Sequence, residues 1–283
     1  MKLLRIGEPG KEKPAALLAD GRVVDVSAHA PDYNGAFFES GGLEKLQGLL
    51  KGNLPTVDLA GKRLGAPIAR PWKVIGIGLN YADHAKESGM AVPPEPVMFT
   101  KASNTVIGPY DTVLIPRMSK KTDWEVELGV VIGKTARYIA DKESALSYVA
   151  GYCISNDVSE REFQIERGGS WDKGKGCETF NPLGPWLVTT DEIPDPQGLG
   201  MALDVNGVRR QTGNTKTMIF NVKHLVWYLS QFMVLEPGDV LTTGTPPGVG
   251  LGHKPNPIYL QDGDVMELTI DGLGKQKQTL KQA

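Results

Sequence analysis

Over residues 122–132, "TDWEVELGVVI", apolar and polar positions alternate every second residue. Trp124, Val126, Leu128, Val130 and Ile132 fall on one face, and Glu125 and Glu127 on the other, followed there by Gly129 and Val131. The period predicts a strand whose second face turns from acidic to small and apolar. Short apolar runs split by turn residues recur along the chain, among them "KLLRIG", "AALLAD", "RVVDVS", "KVIGIGL", "PVMFTKAS", "AGYCISNDV", "PWLVTT" and "DVLTTG". Asn-Gly in "MALDVNGVRR" and Asp-Gly in "DVMELTIDG" predict hairpins. Helical spacing is confined to "GLEKLQGLLKG", closed by Gly52, to "KESALSYVAGY" and to "FNVKHLVWYLSQFMVL". "LGAPIARPW", with two prolines and no periodicity, reads as a connector, dividing a small leading module (residues 1–66) from a main domain (67–283). Many strands with few crossover helices predict an α+β, β-rich, mostly antiparallel architecture rather than a doubly wound sheet.

Length and charge narrow the partners. A chain of 283 residues can bury a substantial core without disulfide staples, and it has only Cys153 and Cys177. The formal net charge of −2 arises from intermixed charges with no basic stripe, so neither nucleic acid nor an anionic membrane is expected as a partner. No window is apolar enough to span a bilayer, and the opening "MKLLRIGEPGKEKP" lacks a signal-peptide stretch, which predicts a cytoplasmic protein acting on a small molecule.

Paired glutamates on a strand are ordinarily a solvated outer face. Here Gly129 and Val131 continue that face, so the alternative is a pair of carboxylates that repel unless a proton or cation lies between them. A divalent ion with oxygen ligands, Mg²⁺, Mn²⁺ or Ca²⁺, fits, and a third carboxylate should then exist. Asp157 in "SNDVSEREFQ" is the candidate; equally, it could cap the helical stretch expected after it. In "NYADHAKESG", His84 and Glu87 lie three apart, which is either a surface pair on a short helix or an oriented general base.

"GIGLNYADHAKESG", "DWEVELGVVIG", "SNDVSEREFQ", "GKGCETFNPLGPW" and "TGTPPGVG" together resemble the fumarylacetoacetate hydrolase family in order and spacing, over roughly residues 70 to 275. The resemblance implies a mixed β-sandwich or β-roll core with a small N-terminal α/β module, a homodimer, and a site for Mg²⁺ or Mn²⁺ acting on 2-oxo acids with a second carbonyl. It implies Glu125, Glu127 and Asp157 as metal ligands, His84 and Glu87 as a water-activating pair on a mobile lid hinged at Gly89, and Lys175 as a stabiliser of developing negative charge. Arg161, Gln164 and Thr245 are implied as substrate contacts, although a Pro-Gly turn around Thr245 would look the same. Family members often carry Ser-Phe-Asp-Thr-Phe after the lysine, where this chain has Gly176–Phe180, and Cys177 reads as packing. The whole chain resembles the subgroup hydrolysing 2,4-dioxo-3-deoxy acids from L-fucose or L-rhamnose, giving pyruvate and a hydroxy acid. Ureidoglycolate lyase, oxaloacetate decarboxylase, acylpyruvase or keto-enol isomerase activity on the same scaffold are the alternatives, with a non-catalytic sugar-acid-binding protein as the contrasting class.

Overall fold

The computed structural model describes residues 1–87, 89 and 91–283. The leading segment gives β1 (Lys2–Ile6), β2 (Lys13–Leu17) and β3 (Val23–Asp25), the helices α1 (Gly35–Glu39) and α2 (Gly42–Leu49), and β4 (Leu64–Gly65). Then follow β5 (Val74–Gly78), α3 (Ala82–Glu87), β6 (Val97–Lys101), β7 (Val106–Ile107), β8 (Val113–Ile115), β9 (Thr122–Asp123) and β10 (Val126–Ile132). The middle of the chain supplies β11 (Val149–Asn156), β12 (Ser159–Glu160), α4 (Asp172–Lys175) and β13 (Asn181–Thr189). The remainder supplies β14 (Gly200–Val205), β15 (Val208–Asn214), α5 (Val222–Leu229), β16 (Val240–Thr242), β17 (Val265–Ile270) and β18 (Gly274–Gln282).

An 11-stranded sheet runs in the order β3-β2-β1-β13-β11-β10-β16-β5-β6, with β4 and β7 joined at its side, and a 5-stranded sheet runs β15-β14-β17-β18-β8. Both are mostly antiparallel, as the sparse helices predict. Alternation along β10 divides its side chains between two apolar layers. Trp124, Val126, Leu128, Val130 and Ile132 enter a core shared with Leu203 and Leu268 of the smaller sheet and with Leu225 and Leu229 of α5. Val131 faces the opposite layer, beside Phe37, Phe38 and Leu46 of the leading segment. That segment is hydrogen-bonded into the large sheet, since β1 pairs with β13 through Lys2↔Val188 and Leu3↔Leu187. Among the described residues no helix is long and apolar enough to cross a membrane.

The hairpin at Asn206-Gly207 forms with φ of 52° and 74° at the two turn residues, the left-handed geometry that Asn-Gly tolerates best. Two expected helices come out differently. "KESALSY" folds as a 3₁₀ segment, Lys142–Tyr148, and the following "VAGY" opens β11, because Val149–Asn156 gains a full ladder against β10. In "FNVKHLVWYLSQFMVL" only Val222–Leu229 is helical; Asn221 caps it by accepting from His224 N at 2.8 Å. The Leu64–Trp72 connector is also partly strand, as Leu64–Gly65 pairs with β1.

Candidate metal and catalytic site

Glu127 lies in β10, Glu125 immediately before that strand, and Asp157 immediately after β11, its neighbour in the sheet. Asp157 N donates to Glu125 O at 2.9 Å and Glu125 N to Asn156 Oδ1 at 3.3 Å, so one backbone bond and the Asn156 side chain fasten the two strand ends to each other. Exposures of 5% for Glu125, 1% for Glu127 and 0% for Asp157 exclude a solvated outer face. Oxygens from all three carboxylates lie within 4.8 Å of one another. Nor does Asp157 cap a helix: the chain continues into β12 and then a π-type turn at Glu162–Glu166, while the carboxylate faces inward.

Cations hold two of these acids. Lys175 Nζ donates to Glu125 Oε2 at 2.8 Å and to Asp157 Oδ2 at 2.6 Å, and Arg161 Nη2 lies 2.7 Å from Glu125 Oε1. Lys101 Nζ donates to Asp157 Oδ1 at 2.5 Å. Burial alone would raise the Glu125 carboxyl, but Lys175 and Arg161 outweigh it and hold the group well below the usual carboxylate range. The Glu127 carboxyl goes the other way, raised by burial and by the neighbouring charges of Asp157 and Glu125. Burial pulls the Lys175 ammonium down, yet Asp157 and Glu125 leave it raised; Lys101, buried and facing Lys175, is lowered despite its contact with Asp157.

Because the folded-state pKa of Glu125 is depressed, its stabilisation is complete above the unfolded carboxylate value of about 4.3 and is lost progressively as the pH falls below it. In chelator-treated protein, the melting temperature of the parent is therefore expected to exceed that of Glu125→Gln near about pH 6, with the gap narrowing toward about pH 3. A gap independent of pH contradicts this.

His84 and Glu87 share α3, with Nδ1 and Oε2 3.3 Å apart. His84 is only 7% exposed and lines the same cavity as Glu125 and Glu127, so the pair is not a surface decoration. Glu87 also accepts from Gly248 N, at 3.0 Å to Oε1 and 3.1 Å to Oε2. A Cβ at Gly252 would stand 2.3 Å from Glu87 Cδ, so glycine there lets the loop close on the carboxylate. Gly89, the expected hinge, has φ +72° just past the helix; Ser88 and Met90 on either side of it lie outside the described residues.

Arg161 and Gln164 are buried and joined, Nη1 donating to Gln164 Oε1 at 3.1 Å, and both line the cavity. Thr245 lines it too, but its hydroxyl donates to Val126 O at 2.9 Å and accepts from Gln211 Nε2 at 2.8 Å. With its single proton committed, that hydroxyl is not a donor for a substrate carboxylate in this arrangement. Lys173 is exposed, and half-buried Cys177 packs against the main core, its thiol pushed up to about 11 by burial.

Three contributors escape a reading of the sequence. Lys101 closes β6 two residues after buried Phe99, and period-two counting would have placed it on that inward face. Asp123 stands two residues before Glu125; it accepts from Arg161 Nε at 2.8 Å, Gly250 N at 2.6 Å and Leu251 N at 3.0 Å, anchoring the guanidinium and the loop beneath Glu87 at once. Trp171 lies against Gly78, where a Cβ would come within 2.3 Å of its ring, and forms with Phe99 a tilted aromatic wall, ring centroids 5.6 Å apart. The cavity between wall and acids is small, about 40 Å³. A larger open groove of about 510 Å³ lies beside α2 and Met1, remote from these groups.

Three hard carboxylate donors converging in a buried pocket, one with its carboxyl raised by the other two, suit Mg²⁺ or Mn²⁺ rather than a soft thiophilic ion. An imidazole–carboxylate pair, His84 with Glu87, stands at the same cavity as two of these acids. The profile described as fumarylacetoacetate (FAA) hydrolase C-terminal matches residues 73–281, and the chain belongs to the fumarylacetoacetate hydrolase family. A Burkholderia multivorans protein provisionally described as a hydrolase is 58% identical over 283 residues, covering 100% of both chains. Among solved structures, the fumarylacetoacetate hydrolase of psychrophilic Exiguobacterium antarcticum is 37% identical with a TM-score of 0.81, covering 100% of each chain. Maleylpyruvate hydrolase from Sphingobium sp. SYK-6, in complex with manganese(II) ion and pyruvate, is 30% identical with a TM-score of 0.81, again covering 100% of each.

Proposed function

We propose that this protein hydrolyses the C3–C4 bond of a 2,4-dioxo acid, giving pyruvate and a hydroxy acid, with Mg²⁺ or Mn²⁺ held by Glu125, Glu127 and Asp157. The observation that carries the reading is the placement of His84, backed by Glu87, on the same small cavity as Glu125 and Glu127, whose oxygens lie within 4.8 Å of an Asp157 oxygen. When bound, the ion supplies Lewis-acid stabilisation of negative charge on the substrate's 2-oxo oxygen.

The chain's own residues do the rest. With Nδ1 engaged by Glu87, the imidazole offers its Nε2 lone pair to a water, and Glu87 stabilises the imidazolium that forms. Hydroxide adds to C4; collapse of that adduct breaks C3–C4, the electron pair passes to the pyruvate enolate, and a proton delivered to C3 completes pyruvate. Lys175 has two donors committed to Glu125 and Asp157 and is a lining residue of the cavity; its remaining N–H is the one we assign to the C4 oxyanion. Arg161 and Gln164, buried beside the acids, orient the substrate carboxylate.

The wall supports the choice of substrate class. A 2,4-dioxo-3-deoxy acid made from a 6-deoxy sugar such as L-fucose or L-rhamnose ends in a methyl group, and Ile77, Phe99 and Trp171 offer a short apolar surface to that end. The test is a panel assayed with Mn²⁺ or Mg²⁺: 2,4-dioxo-3-deoxy-L-fuconate, acetylpyruvate, oxaloacetate and ureidoglycolate, followed by release of pyruvate, carbon dioxide and urea. Metal-dependent pyruvate release from the sugar acid, at the highest kcat/KM of the four, is expected. Preferential urea release, or carbon dioxide from oxaloacetate as the dominant turnover, would refute the assignment.

A further inference from the structure

Glu127 is held unlike its two acidic neighbours. Glu125 and Asp157 lean on ammonium or guanidinium groups, whereas Glu127 forms no ion pair among the described residues. Its Oε2 instead accepts from Thr242 Oγ1 at 2.5 Å and from Gly244 N at 2.7 Å, while Oε1 accepts no hydrogen bond among the described residues. Behind Thr242 the polar contacts continue: its Oγ1 lies 3.2 Å from Ser155 Oγ, which accepts from Asn181 Nδ2 at 2.9 Å.

These four residues come from four consecutive strands of the large sheet, Asn181 on β13, Ser155 on β11, Glu127 on β10 and Thr242 on β16. Thr242 Oγ1 is in donor geometry both to Glu127 Oε2 and, at the longer 3.2 Å, to Ser155 Oγ, which Asn181 Nδ2 also approaches. With Glu127 ionised, as a ligand to a cation must be, the one Thr242 proton serves the shorter contact to the carboxylate. Glu127 is 1% exposed and the other three 0%. Burying polar side chains in a row is worse for stability than burying apolar ones unless every atom is satisfied, and Asn181 Oδ1 has no partner among the described residues. The row ends on the Glu127 carboxylate, so its contacts bear on how that group is held.

We propose that Thr242, backed by Ser155 and Asn181, is a positioning residue for Glu127: it commits Oε2 to the protein and turns Oε1 toward the ion. This rests on the reading that the three acids hold a divalent cation. Groups that orient a ligating carboxylate from behind typically change metal affinity ~10–100-fold when removed.

The experiment is isothermal titration of the full-length, chelator-stripped protein with Mn²⁺ alone, with folding checked by circular dichroism and thermal melting. Thr242→Val, which keeps the shape and removes the hydroxyl, is expected to weaken Mn²⁺ binding ~10–100-fold, and Thr242→Ser to restore the parental affinity. Ser155→Ala is expected to weaken binding by less, and it carries the same test should Thr242→Val not fold. Parental affinity in a folded Thr242→Val or Ser155→Ala protein, or a Thr242→Ser protein as weak as Thr242→Val, overturns the proposal. If the parent itself takes up no Mn²⁺, the metal reading falls first and the positioning role with it; binding by the parent that the variants leave unchanged removes the positioning role alone.

Discussion

Glu127→Ala is expected to abolish metal binding and turnover together, with kcat/KM falling on the order of 10³-fold, because it removes one of three carboxylate ligands and with them the Lewis acid. Glu127 is the informative choice among the three. Glu125 and Asp157 are each tied to lysine or arginine, so deleting either strands a buried cation as well as removing a ligand. Deleting Glu127 strands only the Thr242 hydroxyl and the Gly244 N–H, about 1–3 kcal/mol apiece. It also relieves the repulsion from Asp157 and Glu125 that raises its carboxyl. The variant should therefore fold, and a thermal melt beside a Mn²⁺ titration separates lost metal from lost structure. Tight metal binding by a folded Glu127→Ala protein contradicts the ligand assignment.

His84→Ala is expected to keep Mn²⁺ affinity and lose C–C hydrolysis by ~10²–10⁴-fold, the usual worth of a positioned general base. Its polar contact among the described residues is Glu87, which in turn hangs from Gly248, so the acid cluster keeps its ties when the imidazole is removed. Oxaloacetate decarboxylation, which needs no water attack, sharpens the comparison. Whatever decarboxylase activity the parent has should largely survive in His84→Ala, while pyruvate release from a 2,4-dioxo acid collapses. Parallel loss of both activities would assign His84 to binding or folding rather than to water activation.

How much of this was legible in the sequence depends on the range of the contact. The β10 alternation, the turn of its second face from acidic to small and apolar, and the Asn206-Gly207 hairpin are local patterns, and each is present in the structure. The length of α5 and the conversion of the Val149 segment to strand were not legible, because a ladder against β10 decides the latter. Sequence pattern left Asp157 open between cap and ligand; its surroundings are settled by Lys101, 56 residues away, and by Lys175. The Thr242 contact spans 115 residues and leaves no periodic mark. Lys101 and Asp123 did leave one, each falling on the inward side of its strand, but a charged residue at a strand end looks like an ordinary solvated terminus until its partner is known. Thr245 shows the converse. "TGTPPGVG" suggests a ligand-binding loop, yet the hydroxyl's proton goes to Val126 O.

The central claim is that Glu125, Glu127 and Asp157 hold one divalent ion in a cavity faced by His84. The most direct measurement is anomalous diffraction from crystals grown with Mn²⁺. A single strong manganese peak within bonding reach of an oxygen from each of the three acids is the predicted result. No peak there in crystals whose protein is otherwise folded as described, or a peak held by other residues, would contradict it.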